Sequence, residues 1–220
     1  MKQHIIDWSQ IQTVLLDMDG TLLDLHFDWH FWMEFVPQSY AKEKQIPVSR
    51  AKQIIHKKIN AQAGTLNWYC LDYWTDALQL PIAQLKRQLR HNIKVHPEVI
   101  NFLKALREQG KDVIMVTNAH QDSLAVKLEM TEIGRYFDHL ISAHDFGMPK
   151  EDIAIWDAIH SVHPYDPART VLIDDNLHAL QTAKDYGIRE QLCATFVSPH
   201  LDPIDPKGFK HFSNFLEIMP

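Results

Sequence analysis

The stretch Val14-Leu15-Leu16-Asp17-Met18-Asp19-Gly20-Thr21 predicts a buried β-strand that ends at two carboxylates. Short apolar runs rich in β-favouring residues are typical of buried strands, and Asp-Gly is a strong turn signal. Because alternate residues of an extended chain point to the same side, we expect Asp17 and Asp19 to face one edge of the sheet. Ligands of parallel α/β sheets bind at that edge. A simple turn formed by one of the two residues is the alternative.

The sequence after residue 95 alternates between helical and strand patterns. We predict a helix that begins at Pro97, and further helices over residues 122–130, 151–162 and 176–186. The predicted strands cover residues 113–116, 139–142, 170–173 and 194–197. Strands separated by helices of this length form βαβ units, which indicates a parallel sheet. Beyond Pro199 the sequence contains several prolines, and we expect an irregular tail.

Residues 24–95 carry apolar residues at helical spacing and no convincing strand pattern. Proline and glycine divide this stretch into about four helices, at Pro37, Pro47, Gly64 and Pro81. We therefore predict an α/β fold with a Rossmann-like parallel sheet core, flanked by helices, and an inserted all-helical cap. The core would comprise residues 1–23 and 96–220, and the cap residues 24–95.

The composition of the chain restricts its class. With 220 residues, 45% hydrophobic and 23% charged, the chain can bury a sizeable core. A net charge of -6 without lysine or arginine clusters argues against a nucleic-acid partner. No apolar run approaches the roughly 20 residues of a membrane helix. The first residues do not resemble a signal peptide, and two cysteines provide no disulfide framework. We expect a cytoplasmic protein.

Three of the predicted strands end in polar residues: Asp17 and Asp19, Thr117 and Asn118, and Asp174 and Asp175. Lys150 lies in the loop after a further strand. If these loops meet at one edge of the sheet, the site holds four carboxylates and one ammonium group. Two like charges about 4 Å apart repel by about 4 kcal/mol at an effective dielectric constant near 20, so a cation is needed. Carboxylate oxygens suit Mg²⁺, which is commonly bound together with phosphate oxygens. The pattern predicts Mg²⁺-dependent phosphoryl chemistry.

Each segment alone has a simpler interpretation. Thr117 alone would be a helix cap, Lys150 a solvated loop lysine, and Asp174-Asp175 a turn that caps the following helix. The fourteen histidines include the pairs His26/His30 and His160/His163, but no zinc-ligand spacing accompanies them. We interpret them as surface or capping histidines.

The four motifs resemble, in order and spacing, those of haloacid dehalogenase-like phosphatases: Asp17-Met18-Asp19-Gly20-Thr21, Thr117-Asn118, Pro149-Lys150 and Asp174-Asp175. The helical stretch 24–95 lies where that superfamily carries a helical cap, and the resemblance extends to about residue 200. The chain is similar in finer detail to the bacterial GMP/IMP 5′-nucleotidase branch, in Thr65-Leu66-Asn67-Trp68-Tyr69-Cys70-Leu71-Asp72-Tyr73-Trp74, Thr117-Asn118-Ala119-His120, Leu124-Ala125-Val126-Lys127-Leu128-Glu129 and Phe146-Gly147-Met148-Pro149-Lys150-Glu151-Asp152.

The resemblance implies a catalytic role for Asp17, Asp19, Thr117 and Lys150. Asp17 would attack phosphorus to form an aspartyl-phosphate, which divides one displacement into two easier ones. Asp19 would protonate the leaving oxygen and then accept a proton from the attacking water. Lys150 would hold the nucleophile and the phosphoryl oxygens. Thr117, Asn118 and the following backbone N–H groups would bind phosphate.

The resemblance also implies a Mg²⁺ site formed by Asp17, the main-chain carbonyl of Asp19, and the pair Asp174-Asp175. The sequence leaves open which residue of the pair binds the metal directly.

The implied function is hydrolysis of a small nucleoside 5′-monophosphate, GMP or IMP. A sugar-phosphate phosphatase or phosphomutase and a non-catalytic binding protein are the alternatives, and the oligomeric state is not readable. A haloacid dehalogenase is disfavoured, because its chemistry needs neither Asp19 as an acid nor the metal-binding pair. We further hypothesise that a polar or aromatic residue near Asn67 to Asp72 contacts the nucleoside.

Overall fold

The computed structural model describes residues 5–220 and contains a six-stranded parallel sheet with the strand order β3-β2-β1-β4-β5-β6. The strands are β1 Thr13–Leu16, β2 Asp112–Thr117, β3 His139–Ser142, β4 Thr170–Asp174, β5 Glu190–Ala194 and β6 Lys210–Phe212. The predicted α/β fold with a parallel sheet is confirmed.

Helices surround the sheet and fill the segment between β1 and β2. Those before β2 are α1 His26–His30, α2 Val36–Lys44, α3 Val48–Asn60, α4 Leu71–Leu78, α5 Ile82–Gln88 and α6 Val99–Glu108. Those after β2 are α7 Gln121–Thr131, α8 Ala154–Val162 and α9 Leu177–Tyr186. Single 3-10 turns lie at Trp8–Gln10, Leu66–Trp68, Arg90–Asn92, Ile133–Tyr136, Ala143–Phe146, Pro167–Arg169 and Phe215–Glu217.

Strand β1 lies in the centre of the sheet, and its four residues are all buried. Val14 and Leu16 pack into the hydrophobic cluster on one face of the sheet, while Leu15 packs into the cluster on the other face. A strand covered on both faces needs a continuous apolar run instead of alternation, which is why the sequence reads Val-Leu-Leu.

The strand register brings the polar strand ends to one edge of the sheet. Leu16 at the end of β1 pairs with Met115 of β2 on one side and with Ile173 of β4 on the other. The residues that follow in each chain segment therefore leave the sheet side by side. This alignment places Asp17, Thr117 and Asp174 near one another.

We call residues 24–95 the cap segment. Its apolar residues form a third hydrophobic cluster, which is separate from the two that cover the sheet and includes Phe31, Ile55, Trp74 and Ile82. The segment contains four longer helical stretches, which are residues 26–44 and the helices α3, α4 and α5. The division of the chain into a core and a cap domain stays a prediction.

The sequence interpretation of Pro37 was wrong, because the helix continues through this residue. A π-helical turn at Phe31–Phe35 joins α1 to α2, and the N–H of Val36 bonds to the carbonyl of Phe31 across the wider turn. Pro37 follows directly in the first turn of α2, where a missing N–H is tolerated.

The predicted strand over residues 194–197 and the irregular tail were also wrong. Strand β5 begins at Glu190, shortly after the left-handed Gly187 that ends α9, because pairing with β4 places residues 190–193 opposite residues 171–174. The apolar residues beyond Ala194 leave the sheet, and the carbonyl of Val197 accepts a hydrogen bond from the N–H of Leu25 at 2.9 Å. The tail then returns to form β6 beside β5.

Among the described residues, no helix is long and apolar enough to cross a membrane. Cys70 is half-buried, Cys193 is buried, and both are free thiols. The cytoplasmic location stays a prediction.

Candidate active site

A cavity of about 280 Å³ lies between the carboxyl edge of the sheet and the cap segment. Its floor contains all of the acidic strand-end residues, together with Thr117, Asn118 and Lys150. Its opposite wall is formed by residues of the cap segment, most of them aromatic. The structure therefore brings together the seven residues that the sequence analysis singled out, which are Asp17, Asp19, Thr117, Asn118, Lys150, Asp174 and Asp175.

Lys150 is the centre of a buried ion-pair group on the cavity floor. Its Nζ lies 2.5 Å from Oδ1 of Asp17 and 2.6 Å from Oδ2 of Asp174, and the lysine is only 1% exposed. Burial acts to lower the pKa of Lys150, but the two carboxylates outweigh it and raise the pKa above its ordinary value. Lys150 is therefore a fixed ammonium group, and it is not a solvated loop lysine.

The pKa of Asp17 is raised to about 6, chiefly because the carboxyl group is buried, while Lys150 acts to lower it. Lys150 occupies Oδ1 of Asp17, whereas Oδ2 is buried and has no hydrogen-bond partner among the described residues. An unpartnered carboxylate oxygen is costly to bury. Its position on the cavity floor makes it available to a metal ion or to an electrophile.

Asp174 and Asp175 differ in what their carboxylates contact. Asp174 accepts hydrogen bonds on both oxygens, from Lys150 Nζ at 2.6 Å and from the backbone N–H of Asn176 at 2.9 Å. Asp175 makes no ion pair with any residue in the described range 5–220. Burial, followed by the charges of Asp17 and Asp174, raises the pKa of Asp175 well above its ordinary value.

Ligand atoms of Asp17, Asp174 and Asp175 lie within 4.8 Å of one another. Of residues 5–220, these form the one group of three or more His, Cys, Asp or Glu side chains that is close enough to hold a metal ion. A set of carboxylate oxygens suits a hard divalent cation. The unpartnered Oδ2 of Asp17 and the unpaired charge of Asp175 both fit such an ion. The histidine pairs contribute to no such group.

Gly20 allows Asp175 to approach the turn after β1. The residue has a φ of +87°, and a Cβ atom at this position would lie 2.5 Å from Oδ2 of Asp175. The glycine is required both by the left-handed backbone and by the proximity of the carboxylate. The Asp-Gly signal in the sequence thus has a structural cause beyond the turn itself.

Thr117 and Asn118 hold the loop after β2 in place. Oγ1 of Thr117 accepts a hydrogen bond from the N–H of Ala119 at 3.1 Å, which leaves its hydroxyl proton for another acceptor. Oδ1 of Asn118 accepts from the N–H of Lys150 at 2.9 Å. The side chain of Asn118 is therefore committed to the Lys150 loop, and its backbone remains for a ligand. His120 caps α7 instead of Thr117.

Asp19 lies at the side of the cavity in contact with a lysine that the sequence analysis missed. Its Oδ2 lies 2.6 Å from Nζ of Lys127, while its Oδ1 is buried and has no hydrogen-bond partner among the described residues. Burial raises the pKa of Asp19 to about 6, against the lowering effect of Lys127. One signal was available, because Lys127 lies three residues after the buried Leu124 on the inner face of α7.

Glu151 is a second polar residue that the sequence analysis did not single out. Its carboxylate accepts hydrogen bonds from the hydroxyl of Tyr69 at 2.9 Å and from the side-chain amides of Asn118 and Asn176, each at 2.8 Å. It connects the cap segment to two loops of the cavity floor. Burial and the charge of Glu151 raise the pKa of Tyr69, which remains a neutral donor.

Four tryptophans of the cap segment line the cavity, namely Trp29, Trp32, Trp68 and Trp74. The Trp32 and Trp74 rings lie 5.6 Å apart, and the Nε1 of Trp74 donates to the carbonyl of Trp68 at 2.9 Å. These contacts connect Trp74 to Trp32 and to the backbone of Trp68. The wall presents flat apolar surface with few charged groups.

Within the stretch Asn67 to Asp72, Trp68 and Tyr69 line the cavity, whereas Asn67 and Asp72 do not. Asn67 is exposed and donates to Gln62 at 3.2 Å, and Asp72 is exposed beside His120 at 3.4 Å. Helical spacing in this stretch also predicts that Trp68, Leu71 and Tyr73 or Trp74 lie mostly on a buried face; Leu71 and Trp74 are buried, while Trp68 and Tyr73 are half-buried.

The chain is similar to known proteins both in sequence and in fold. A family model described as haloacid dehalogenase-like hydrolase matches residues 11–187. The chain is 42% identical over 193 residues to the GMP/IMP nucleotidase YrfG of Escherichia coli K12, covering 87% of each protein. It is 23% identical over 184 residues to phosphoglycolate phosphatase 1 of Pseudomonas aeruginosa, covering 80% of this chain and 66% of that relative. The crystal structure of a HAD phosphatase from Thermococcus onnurineus has a TM-score of 0.80 at 20% identity, covering 94% of this chain and 96% of that one.

The resemblance noted in the motifs is thus confirmed over most of the chain, and the related structure supports the same fold. The chain belongs to the haloacid dehalogenase-like hydrolase family and is a phosphatase within it.

Proposed function

We propose that this phosphatase hydrolyses nucleoside 5′-monophosphates, GMP or IMP, in a Mg²⁺-dependent reaction that passes through an aspartyl-phosphate on Asp17. The observation that carries the proposal is the state of the two carboxylates at the end of β1. In both Asp17 and Asp19, a lysine holds one oxygen and leaves the other without a partner beside the cavity. The E. coli relative, a GMP/IMP nucleotidase, supports the choice of substrate.

Asp17 serves as the nucleophile in this proposal. Lys150 orients the carboxylate through its contact with Oδ1. One oxygen of Asp17 would attack phosphorus, and the other would contact Mg²⁺. The same ammonium group then stabilises the charge on the transferring phosphoryl oxygens. The covalent intermediate divides the displacement into two steps.

Asp19 serves as the general acid and then as the general base. The pKa of about 6 that burial gives this carboxyl lies close to neutrality, where a group both donates and accepts protons effectively. Its free Oδ1 donates a proton to the departing ribose oxygen. In the second step the same oxygen accepts a proton from the water that attacks the aspartyl-phosphate.

Asp17, Asp175 and the main-chain carbonyl of Asp19 would hold Mg²⁺. Asp174 is less suited to direct contact, because both of its oxygens already accept hydrogen bonds. It instead holds Lys150 and the turn before α9. When bound, the metal would supply positive charge to the phosphate oxygens and lower the repulsion among the carboxylates.

The loop after β2 would bind the remaining phosphate oxygens. The hydroxyl of Thr117 has its proton free, and Asn118 lines the same cavity. Lys150 would be the third residue that contacts the phosphate oxygens. Together these groups present one cation and neutral donors to a dianionic phosphate.

The wall of tryptophans favours a nucleoside over a sugar as the group attached to phosphate. A purine presents a flat π-face that stacks well on aromatic side chains, and such stacking contributes about 1–3 kcal/mol per base. A bare sugar phosphate needs hydrogen-bonding side chains instead. The cap segment contributes few of them to the cavity, with Asp28 and Tyr69 already engaged by other residues.

The test is phosphate release from a panel of GMP, IMP, CMP and sugar monophosphates, with Mg²⁺ and with EDTA. We expect release from the purine nucleotides at the highest kcat/KM, its loss in EDTA, and almost complete loss in the isosteric variant Asp17→Asn. A higher kcat/KM for sugar phosphates than for purine nucleotides would refute the assignment of a nucleoside 5′-monophosphate as the substrate. Turnover that survived in Asp17→Asn would refute the mechanism.

A further inference from the structure

We propose that Lys127 is the positioning residue of Asp19, and that Asp28 of the cap segment holds Lys127 in the position where it does this. The proposal rests on the proposed function, in which Asp19 carries protons to and from the substrate. Lys127 itself does not contact the reacting atoms. It acts through the carboxylate of Asp19.

Asp19, Lys127, Asp28 and Lys86 form an alternating chain of charges, in which the two lysines are buried and the two acids are partly exposed. Nζ of Lys127 lies 2.6 Å from Oδ2 of Asp19 and 2.7 Å from Oδ2 of Asp28. The other oxygen of Asp28 lies 2.6 Å from Nζ of Lys86. The two acids and two lysines balance one another in charge. Each ammonium group is therefore paired, as burial of charge requires.

The burial of Lys127 is hard to explain as packing alone. Its side chain is 1% exposed in α7, a helix with exposed surface on which a lysine could lie. Moving an ammonium group out of water is costly, and apolar residues of similar volume often replace a buried ion pair without loss of stability. The retained charge thus points to a role in the site. The ring of Phe27, whose centroid lies 5.6 Å from Nζ of Lys127, adds a cation–π contact that helps keep the charge there.

Lys127 determines which oxygen of Asp19 remains free. Because Oδ2 is held by the ammonium group, rotation of the carboxylate is restricted and Oδ1 is left without a partner. That is the oxygen which, in the proposed mechanism, transfers the proton. Fixing a reacting group in one orientation removes part of the entropic barrier to the transfer.

Asp28 lines the cavity, but both of its oxygens are occupied by lysines. It is therefore unavailable as a direct ligand of the substrate, and its effect on the reaction passes through Lys127. Asp28 and Lys86 belong to the cap segment, whereas Asp19 and Lys127 lie outside it. The orientation of Asp19 consequently depends on the position of α1.

Substrates with different leaving groups separate this role from a structural one. The 5′-oxygen of GMP leaves poorly without a proton, whereas p-nitrophenolate is a stable anion and leaves without one. The ratio kcat/KM reports the steps up to formation of the aspartyl-phosphate, so it isolates the proton donation by Asp19. Proton transfer by a positioned side chain contributes about 10²–10⁴-fold to such a step.

We would measure kcat/KM for GMP and for p-nitrophenyl phosphate in the wild type, Lys127→Met and Lys86→Met. Lys86→Met is the matched control, because Lys86 is also a buried partner of Asp28 but does not contact Asp19. For Lys127→Met we expect a loss of about 100-fold with GMP and less than about 3-fold with p-nitrophenyl phosphate. For Lys86→Met we expect similar losses with both substrates.

Equal losses with both substrates in Lys127→Met would overturn the proposal, since they indicate a general disturbance of the site. If this variant does not fold, the same two kcat/KM values are measured for Asp28→Asn, which keeps Lys127. A larger loss for GMP than for p-nitrophenyl phosphate in Asp28→Asn supports the proposal, and equal losses oppose it. Failure of the wild type to release phosphate from either substrate would instead refute the proposed function.

Discussion

Replacement of Gly20 by alanine would test whether Asp175 binds the metal. Gly20 has a φ of +87°, and an added Cβ would lie 2.5 Å from Oδ2 of Asp175, where ordinary contact begins at about 3.4 Å. The carboxylate must move by roughly 0.9 Å, the difference between these distances, or rotate away. Either response displaces the oxygen that we assign to the metal.

The size of the effect follows from the strictness of Mg²⁺ coordination. Mg²⁺ requires nearly ideal octahedral geometry with oxygens at about 2.0–2.1 Å, so a displacement of this size breaks or weakens one bond. Disturbing the residues around a metal typically costs about 10–100-fold in metal affinity. We expect the half-saturating Mg²⁺ concentration of Gly20→Ala to rise by at least about tenfold, or about 1.4 kcal/mol. The left-handed backbone adds a cost of about 1–2 kcal/mol to folding.

The control is Gly208→Ala. Gly208 has a similar φ of +93°, but nothing lies within 4 Å of an added Cβ. Phosphate release from GMP would be measured against Mg²⁺ concentration, and thermal unfolding would be followed in EDTA. We expect both variants to lose stability and only Gly20→Ala to need more Mg²⁺. A folded Gly20→Ala protein with an unchanged Mg²⁺ requirement would refute the assignment of Asp175.

Three other predictions concern the metal, the pH and the cap segment. Asp175→Asn should raise the half-saturating Mg²⁺ concentration by at least about tenfold at near-normal kcat, and a normal requirement would contradict it. Burial raises the pKa of Asp17 to about 6, so the metal-free protein should lose stability as pH rises from 4 to 6, by on the order of 3 kcal/mol. Mg²⁺ should therefore raise the Tm more at pH 7.5 than at pH 5, and an equal gain would count against this reasoning. Tyr69→Phe removes the 2.9 Å hydrogen bond to Glu151 and should raise KM for GMP by about fivefold, near 1 kcal/mol; an unchanged KM would contradict a link between this bond and substrate binding.

The central strands were predictable because burial on both faces leaves an unmistakable apolar run. Leu15 and Leu172 belong to such runs, and the structure pairs their strands directly. The edge of the sheet was harder to predict. Strand β5 begins with the half-buried Glu190 and Gln191, so its pattern is weaker than that of residues 194–197, which include the apolar Phe196 and Val197. Pairing with β4, a non-local interaction, decides the register and overrides the local pattern.

The motif residues Asp17, Thr117 and Asp174 were predictable because they lie at the end of a buried strand or directly after it, whereas Lys150 lies in the loop after β3. Lys127 and Glu151 were not found, since their roles depend on contacts with distant parts of the chain. Lys127 contacts Asp28 from 99 residues away, and Glu151 contacts Tyr69 from 82 residues away. A charged residue on the inner face of a helix is a recognisable signal, but the sequence alone does not name its partner. The aromatic stretch from Trp68 to Trp74 favours a core role over a ligand-binding one; Trp68 and Trp74 do pack in the cluster of the cap segment, but both also line the cavity.

The two walls of the cavity divide the recognition of the substrate into separable parts. The floor offers buried charges and donors to a phosphate, and the cap segment offers aromatic surface to the group attached to it. Asp28 links the two, because it belongs to the cap segment and holds the lysine that contacts Asp19. In the proposed arrangement, contacts between a substrate and α1, which carries Asp28, therefore affect the rate of proton transfer by Asp19 as well as the affinity for the substrate. Binding energy from the non-reacting part of a substrate can in this way raise kcat, which a cap that only enclosed the phosphate could not achieve.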